Sequence, residues 1–409
     1  MAPLMLNRRS LLLGAAALAA NSLLTGCRPP GRADLRVQLL QGSVPPQLLQ
    51  EFRRRSQAGV ALAASEQLDD LFELLQAWKQ AESPQPSPSP ASGINIPLPL
   101  ANRTPMADLL TLGDFWLTAA IQQNLIQPLR LEAIPGWQQL PAPWQQLVRR
   151  NARGQLAPDG DLWAAPYRWG TLMLAYHVGH AQSLGWTPTD WQDLWRPELA
   201  QRIALPDHAR AVIGLTLKKL GQSVNTEDLS TVANVSQELQ MLNRQTKFYS
   251  STAYLQPLLL GDCWVAVGWS TEILPVLKRD PRIAAVVPQS GTVLTADLWV
   301  HPAPSPSVSA PPTSPADPAV SSPDRLTALN EWIGFYWQPE IANQLSLLSL
   351  AASPVVLQGD RSRLPSALQN NLLLLPAPEV MERSEFLLPL PAAATEEYRR
   401  QWVQMRQRV

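Results

Sequence analysis

The sequence predicts an α/β fold built from two domains. At 409 residues the chain is longer than one hydrophobic core usually serves. Residues 261–271 (GDCWVAVGWST) show the repeating unit most clearly, because a short apolar strand and a turn precede a helical pattern over 272–278. Residues 171–177 form a long apolar strand between two compositionally similar halves, where the chain can cross from one domain to the other.

In the first half, strands and helices alternate. Pro45 and Pro46 begin a helix that extends to about Ser56, since proline is tolerated in a first helical turn. The other elements predicted here are strands over 35–40, 59–64 and 107–112, and helices over 68–81, 115–123 and 136–150.

The second half repeats this alternation. Its predicted helices cover 191–199, 209–220, 228–243, 325–337, 339–348 and 395–408, and its strands cover 202–205, 263–268, 283–287 and 293–300. Two segments rich in proline and serine, 82–93 and 302–323, contain almost no core-forming residues, so we expect solvated insertions there.

The charge balance argues against nucleic acid as a partner. The chain has 33 Lys and Arg residues against 33 Asp and Glu residues, and only 16% of its residues are charged. Such a surface has no strong field to attract a polyanion.

The first 27 residues are typical of an export signal. Arg8 and Arg9 precede an apolar segment, 14–24, that is too short to span a bilayer as a stable helix. The segment ends in LTGC, which resembles the lipobox of bacterial lipoproteins, so we expect a diacylglycerol on Cys27; an ordinary cleaved signal with an incidental cysteine is the alternative. The paired arginines resemble a twin-arginine signal in part. Cys263, inside an apolar strand, is then a buried thiol.

The residues for catalysis are sparse, which predicts a binding protein. The four histidines lack metal-ligand spacing, and residues 268–272 (GWSTE) lack the last glycine of a nucleophile elbow. No dinucleotide or phosphate-binding glycine motif follows a strand. We expect no enzymatic activity, no cofactor and no metal site.

Aromatic rings and carboxylates stand where predicted strands end, and strand ends line ligand clefts in α/β sheets. The candidates are Asp114, Phe115, Trp116, Tyr249, Trp269 and Asp297. Together they suit an organic amine, because a cation binds over an aromatic face and a carboxylate fixes its direction. Taken singly, each aromatic ring also fits a core position, and Asp114 fits a helix cap. Asp297 lies within an apolar strand and requires a partner.

Several segments in a fixed order carry a family resemblance. They are 44–52 (VPPQLLQEF), 124–129 (NLIQPL), 166–171 (PYRWGT), 175–176 (AY), 191–198 (WQDLWRPE), 209–214 (ARAVIG), 219–226 (KLGQSVNT) and 261–270 (GDCWVAVGWS). Over residues 35–409, apart from the two insertions, this order and spacing resembles the polyamine-binding proteins of ABC importers, the spermidine/putrescine type of periplasmic solute-binding protein.

The resemblance implies a two-lobed periplasmic-binding-protein fold of type II with hinge strands that cross between the lobes. It implies that Trp269 lines the cleft, that Phe115 lies at an aromatic position there, and that Asp297 pairs with an amine. The expected division is a signal at 1–27, a tether at 28–34, lobe 1 at 35–171 with the insertion 82–93, lobe 2 at 172–292, and a return to lobe 1 with C-terminal helices at 293–409 that includes the insertion 302–323.

Other positions depart from the family pattern. Aromatic residues are absent from 39–43, acids are lost within 207–211 (DHARA), Thr295 replaces a tryptophan, and 350–354 (LAASP) lacks a tyrosine. We therefore expect a monomeric, membrane-tethered, exported solute-binding component that delivers a small amine such as putrescine or spermidine to permease subunits. The alternative is a degenerate member that binds another small polar solute or acts as a sensor or scaffold. A hydrolase would require a nucleophile and base pair that the sequence does not offer.

Overall fold

The structure, a computed structural model, describes residues 34–56, 58–81, 105–304 and 323–407. Its strands are β1 Leu35–Leu40, β2 Val60–Ser65, β3 Leu109–Gly113, β4 Ile126–Gln127, β5 Arg149–Arg150, β6 Asp161–Leu162, β7 Ala165–His177, β8 Ile203–Pro206, β9 Thr246–Ser250, β10 Val265–Trp269, β11 Ile283–Val286, β12 Val293–Pro302 and β13 Glu385–Phe386. Its helices are α1 Pro46–Arg55, α2 Leu68–Ala81, α3 Leu117–Gln122, α4 Ala142–Val148, α5 Val178–Leu184, α6 Ala209–Lys219, α7 Val235–Gln245, α8 Gln256–Leu259, α9 Ser270–Leu277, α10 Pro323–Tyr336, α11 Pro339–Ser349, α12 Ser366–Gln369, α13 Pro378–Glu382 and α14 Ala392–Gln407.

Two long strands join the lobes of a mixed sheet whose order is β2-β1-β3-β12-β7-β10-β8-β9. Strand β7 runs antiparallel to β12 as far as Thr171 and antiparallel to β10 from Leu172 onward. Strand β12 also pairs with β3, beginning at Asp297 opposite Gly113. Lobe 1 therefore contains β1, β2 and β3, lobe 2 contains β8, β9 and β10, and β7 passes through both.

Each lobe has its own core. In lobe 1 the rings of Phe52, Trp299, Trp332 and Tyr336 meet beneath the sheet. In lobe 2 the sheet is covered on both faces, by α6 and α7 on one and by α8 and α9 on the other. Burial of both faces accounts for strands that are almost continuously apolar, as in β10 (VAVGW).

Four predicted helices are interrupted, and one of them is 115–123, where a 3-10 turn at Asp114–Trp116 precedes α3. The prediction of one helix over 136–150 is wrong, because this segment contains a 3-10 turn at Trp137–Gln139, then α4, then β5. Pro141, which has no N–H for a preceding turn, separates the 3-10 turn from α4. The helix predicted over 191–199 is two 3-10 segments divided at Pro197. In 228–243, only the part from Val235 is α-helical.

Elsewhere the predictions agree closely. The strand at 35–40 and the helix at 68–81 have the predicted bounds. The last helix begins three residues before its predicted start, at Ala392. Strand β9, at the outer edge of lobe 2, was not predicted.

The C-terminal part of the chain contributes to both lobes. Helices α10 and α11 belong to the lobe 1 core, whereas α14 packs against α6 and α7 of lobe 2. The Tyr398 hydroxyl of α14 donates to the Thr226 carbonyl at 2.9 Å, and Arg406 pairs with Asp207 at 2.8 Å. The predicted signal with Cys27, the insertion 82–93 and most of 302–323 lie outside the described residues. Among the described helices, none is both long and apolar enough to cross a bilayer.

Candidate solute-binding cleft

Two sheet edges face each other where the lobes meet. Strand β3 of lobe 1 ends at Gly113 and is followed by Asp114 and Phe115, while β8 of lobe 2 ends just before His208. The Phe115 ring, 39% exposed, lies edge-on to the His208 ring with 6.2 Å between centroids. This contact joins the lobes at the carboxyl ends of parallel strands, where α/β proteins bind ligands.

His208 forms a neutral part of the lobe 2 wall. Its Nδ1 accepts a hydrogen bond from the Ala211 N–H at 3.1 Å and so caps α6. Burial, followed by the nearby Arg210 charge, lowers the pKa of His208 below its usual range. The imidazole is therefore uncharged near neutral pH and supplies no positive charge to the cleft.

Asp114 is a buried carboxylate that directly follows β3 and contacts β12. Its Oδ1 accepts from the Thr295 hydroxyl at 2.9 Å and from the Ala296 N–H at 3.0 Å. Its Oδ2 accepts no hydrogen bond from any residue in the described ranges. Burial raises the pKa of Asp114 to about 6, although those two hydrogen bonds oppose the increase. Asp114 is thus an acceptor whose charge a cationic ligand would stabilise.

Asp297 has its partner within the protein. It lies directly opposite Arg168 in the antiparallel pairing of β12 and β7, and the Arg168 Nε donates to its Oδ2. The Arg168 side chain is 5% exposed and the Asp297 side chain is 8% exposed. Burial alone would lower the pKa of the Arg168 guanidinium, but the adjacent Asp297 carboxylate raises it. The Arg168 guanidinium therefore stays charged although it is buried.

Ser270, which follows Trp269, contacts the crossing strands, while the Trp269 ring packs against the lobe 2 core. The Ser270 Oγ accepts from the Thr171 N–H at 3.0 Å, and a Cβ on Gly170 would approach that oxygen to 2.5 Å. Gly170 is the register partner of Thr295, the residue that donates to Asp114. The missing side chain at Gly170 thus allows the end of β10 to approach the crossing strands. The Trp269 N–H is itself fixed by the Tyr254 hydroxyl at 3.2 Å.

Tyr249 lies on β9, at the outer edge of the lobe 2 sheet. Its hydroxyl donates to Asn243 at 2.8 Å, and the Arg406 guanidinium lies 3.9 Å from its ring centroid. Trp402 packs edge-on to the same ring. The contacts of Tyr249 are thus with α7 and α14, and its role in ligand binding stays a prediction.

Sequence analysis missed Arg168 and His208 as site residues. Arg168 was part of the family segment 166–171, but its charge was not weighed. An arginine beside an apolar strand needs a buried acid, and that requirement was the available signal.

A separate apolar groove of about 610 Å³ lies behind the crossing strands. It is lined by Trp144, Phe386 and Leu294, among others. Because side chains alternate along a strand, Leu294 and Thr295 point to opposite faces of β12. The groove is therefore on the other side of β12 from the Thr295–Asp114 contact.

Comparison with known proteins shows which family the chain belongs to. The sequence profile of a family described as "Bacterial extracellular solute-binding protein" matches residues 104–374, well over half of the chain. The chain belongs to this family. Its relatives and structural neighbours are solute-binding proteins and not enzymes, which confirms the expectation drawn from the sparse catalytic residues.

Two curated relatives and one solved structure show the extent of the similarity. The solute-binding protein is 24% identical over 196 residues to "Spermidine/putrescine-binding periplasmic protein 1" of Haemophilus influenzae, covering 48% of this chain and 52% of the relative. It is 25% identical over 243 residues to "Spermidine/putrescine-binding periplasmic protein" of Escherichia coli, covering 59% and 63%. The chain thus matches between half and two thirds of the length of these relatives.

The structural match covers more of the chain. The spermidine/putrescine substrate-binding protein PotD of Streptococcus pneumoniae aligns with a TM-score of 0.69 and 20% identity, over 91% of this chain and 98% of the other. This confirms the predicted two-lobed type II fold of the solute-binding protein.

Proposed function

We propose that the chain is the extracytoplasmic solute-binding component of an ABC importer and that it delivers a small amine to membrane permease subunits. The observation that carries the proposal is the Asp114 carboxylate, which is buried at the meeting of the two lobes with one oxygen available. An ammonium group there gains a charge-assisted hydrogen bond in a poorly hydrated setting.

Aromatic rings complete the proposed site. Phe115 follows Asp114 directly, and Trp269 ends the facing strand of lobe 2. A cation over such a ring gains about 0.5–2 kcal/mol, and the apolar faces also suit an alkyl chain. Asp297 contributes through its pair with Arg168 rather than as a free acid. The names of the relatives, which describe binding of spermidine and putrescine, support an amine as cargo.

Titration of the purified protein with butylamine and with 1-butanol, followed by Trp fluorescence and thermal melting, tests the proposal. We expect butylamine to give a saturable signal and to raise the melting temperature, because a ligand that binds only the folded state stabilises it. The alcohol has the same chain without the charge and should do neither. Equal effects of the two compounds would contradict the proposal.

We also propose that the protein is exported by the twin-arginine route and is tethered to the membrane through a lipid on Cys27. The LTGC segment and the apolar stretch before it support this. We expect Cys27→Ser to abolish labelling by a radioactive fatty acid and to release the protein from membranes. A variant that remains tethered would indicate anchoring by the uncleaved apolar segment.

A further inference from the structure

We infer that Arg168 restricts the cargo to molecules with a single positive charge, because its guanidinium holds the carboxylate that a second ammonium group would need. This inference rests on the proposed function and specifies the ligand class of the same site. It follows from the positions of the charged groups around the Asp114 carboxylate.

The Arg168–Asp297 pair is a fixed part of the scaffold. Asp297 lies in β12 with β3 on one side and β7 on the other, and Arg168 faces it from β7. Their side chains are almost fully buried, so neither can turn into solvent without disrupting the crossing strands. The Arg168 guanidinium therefore stays paired with the Asp297 carboxylate.

The four buried charges around Asp114 sum to zero, so there is no excess negative charge for a second cation. Asp114 and Asp297 are opposed by Arg168 and by the buried Arg150, whose charge also acts on Asp114. Arg150 donates to two backbone carbonyls, those of Leu147 at 2.6 Å and Gly154 at 3.3 Å, so it is held in place.

Acids at the mouth of the cleft are poor substitutes. Asp207 already pairs with Arg406 at 2.8 Å. Asp69 accepts from the Trp116 indole N–H at 3.1 Å and is exposed to water, where an ion pair contributes little. A diamine would therefore bury its second ammonium without a counter-charge, or displace Arg168 and leave the guanidinium unpaired. Either outcome is unfavourable.

The test compares butylamine with 1,4-diaminobutane, which has the same chain and a second ammonium group. By calorimetry at neutral pH, the unaltered protein should bind butylamine at least about tenfold more tightly than the diamine. Arg168→Ala removes the guanidinium and opens space beside Asp297, so its affinity for the diamine should rise about tenfold or more. Arg168→Lys keeps the positive charge and should show no such gain.

The outcomes separate the two claims. Tighter binding of the diamine by the unaltered protein would overturn this inference and leave the proposed function in place. The same holds if folded Arg168→Ala gains no affinity for the diamine. Failure of the unaltered protein to bind butylamine would instead overturn the proposed function. The comparison in the unaltered protein needs no variant, so it decides the question even if Arg168→Ala does not fold.

Discussion

Arg168→Met is expected to lower the free energy of unfolding by about 3–5 kcal/mol, because it leaves the Asp297 carboxylate buried without its cation. Methionine fills much of the space of the arginine stem, so loss of charge rather than loss of volume dominates the change. Urea unfolding followed by far-UV circular dichroism measures the effect.

The matched control for this prediction replaces both partners. Arg168→Met with Asp297→Leu converts the buried ion pair to an apolar contact, which is often neutral or stabilising. We expect the double variant to recover most of the stability lost by the single variant. If the double variant is no more stable than the single variant, the Arg168–Asp297 interaction is not the cause of the loss.

Asp114→Asn is expected to stabilise the unliganded protein near neutral pH by up to about 3 kcal/mol. The pKa of Asp114 is raised from 3.8 to about 6 in the folded protein, mainly by burial. The folded state therefore binds this proton more tightly than the unfolded state. The stability contributed by the protonated group is present below about pH 4 and is lost as the pH rises through 6.

Asparagine retains an oxygen that can accept from Thr295 and Ala296, without a charge to desolvate. The advantage of Asp114→Asn should thus be greatest near pH 7.5 and disappear near pH 4. Urea unfolding at both pH values checks this, with Asp262→Asn as the control because that acid is 64% exposed. An advantage that is the same at both pH values would contradict the role assigned to burial. Asp114→Asn should also lose butylamine binding. On this account the protein keeps Asp114 for ligand binding although its buried charge lowers the stability of the fold.

Local patterns were sufficient to predict most of the fold. The strand–turn–helix units that end at Gly113 and Trp269 were recognisable from apolar runs followed by helical spacing, and they placed Asp114, Phe115 and Trp269 at strand ends. The broken helices around Pro141 and Pro197 were missed although the prolines were visible, because hydrophobic spacing was given more weight than the missing N–H.

The electrostatics of the site depend on contacts between distant parts of the chain. Arg168 and Asp297 are 129 positions apart, and their pairing depends on the register between β7 and β12. Tyr249 is covered by Arg406, which comes from the last helix. Local periodicity contains no information on either contact. The sequence therefore predicted the candidate acids but not which of them remains available to a ligand.

A crystal structure of the protein with butylamine bound is the most direct test of the central claim that a cation binds between the lobes at Asp114. We predict the ammonium nitrogen at about 2.7–3.0 Å from Asp114 Oδ2, with Arg168 still paired to Asp297. Butylamine located in the apolar groove beside Trp144, or an ammonium group bonded to Asp297 in place of Arg168, would contradict the account.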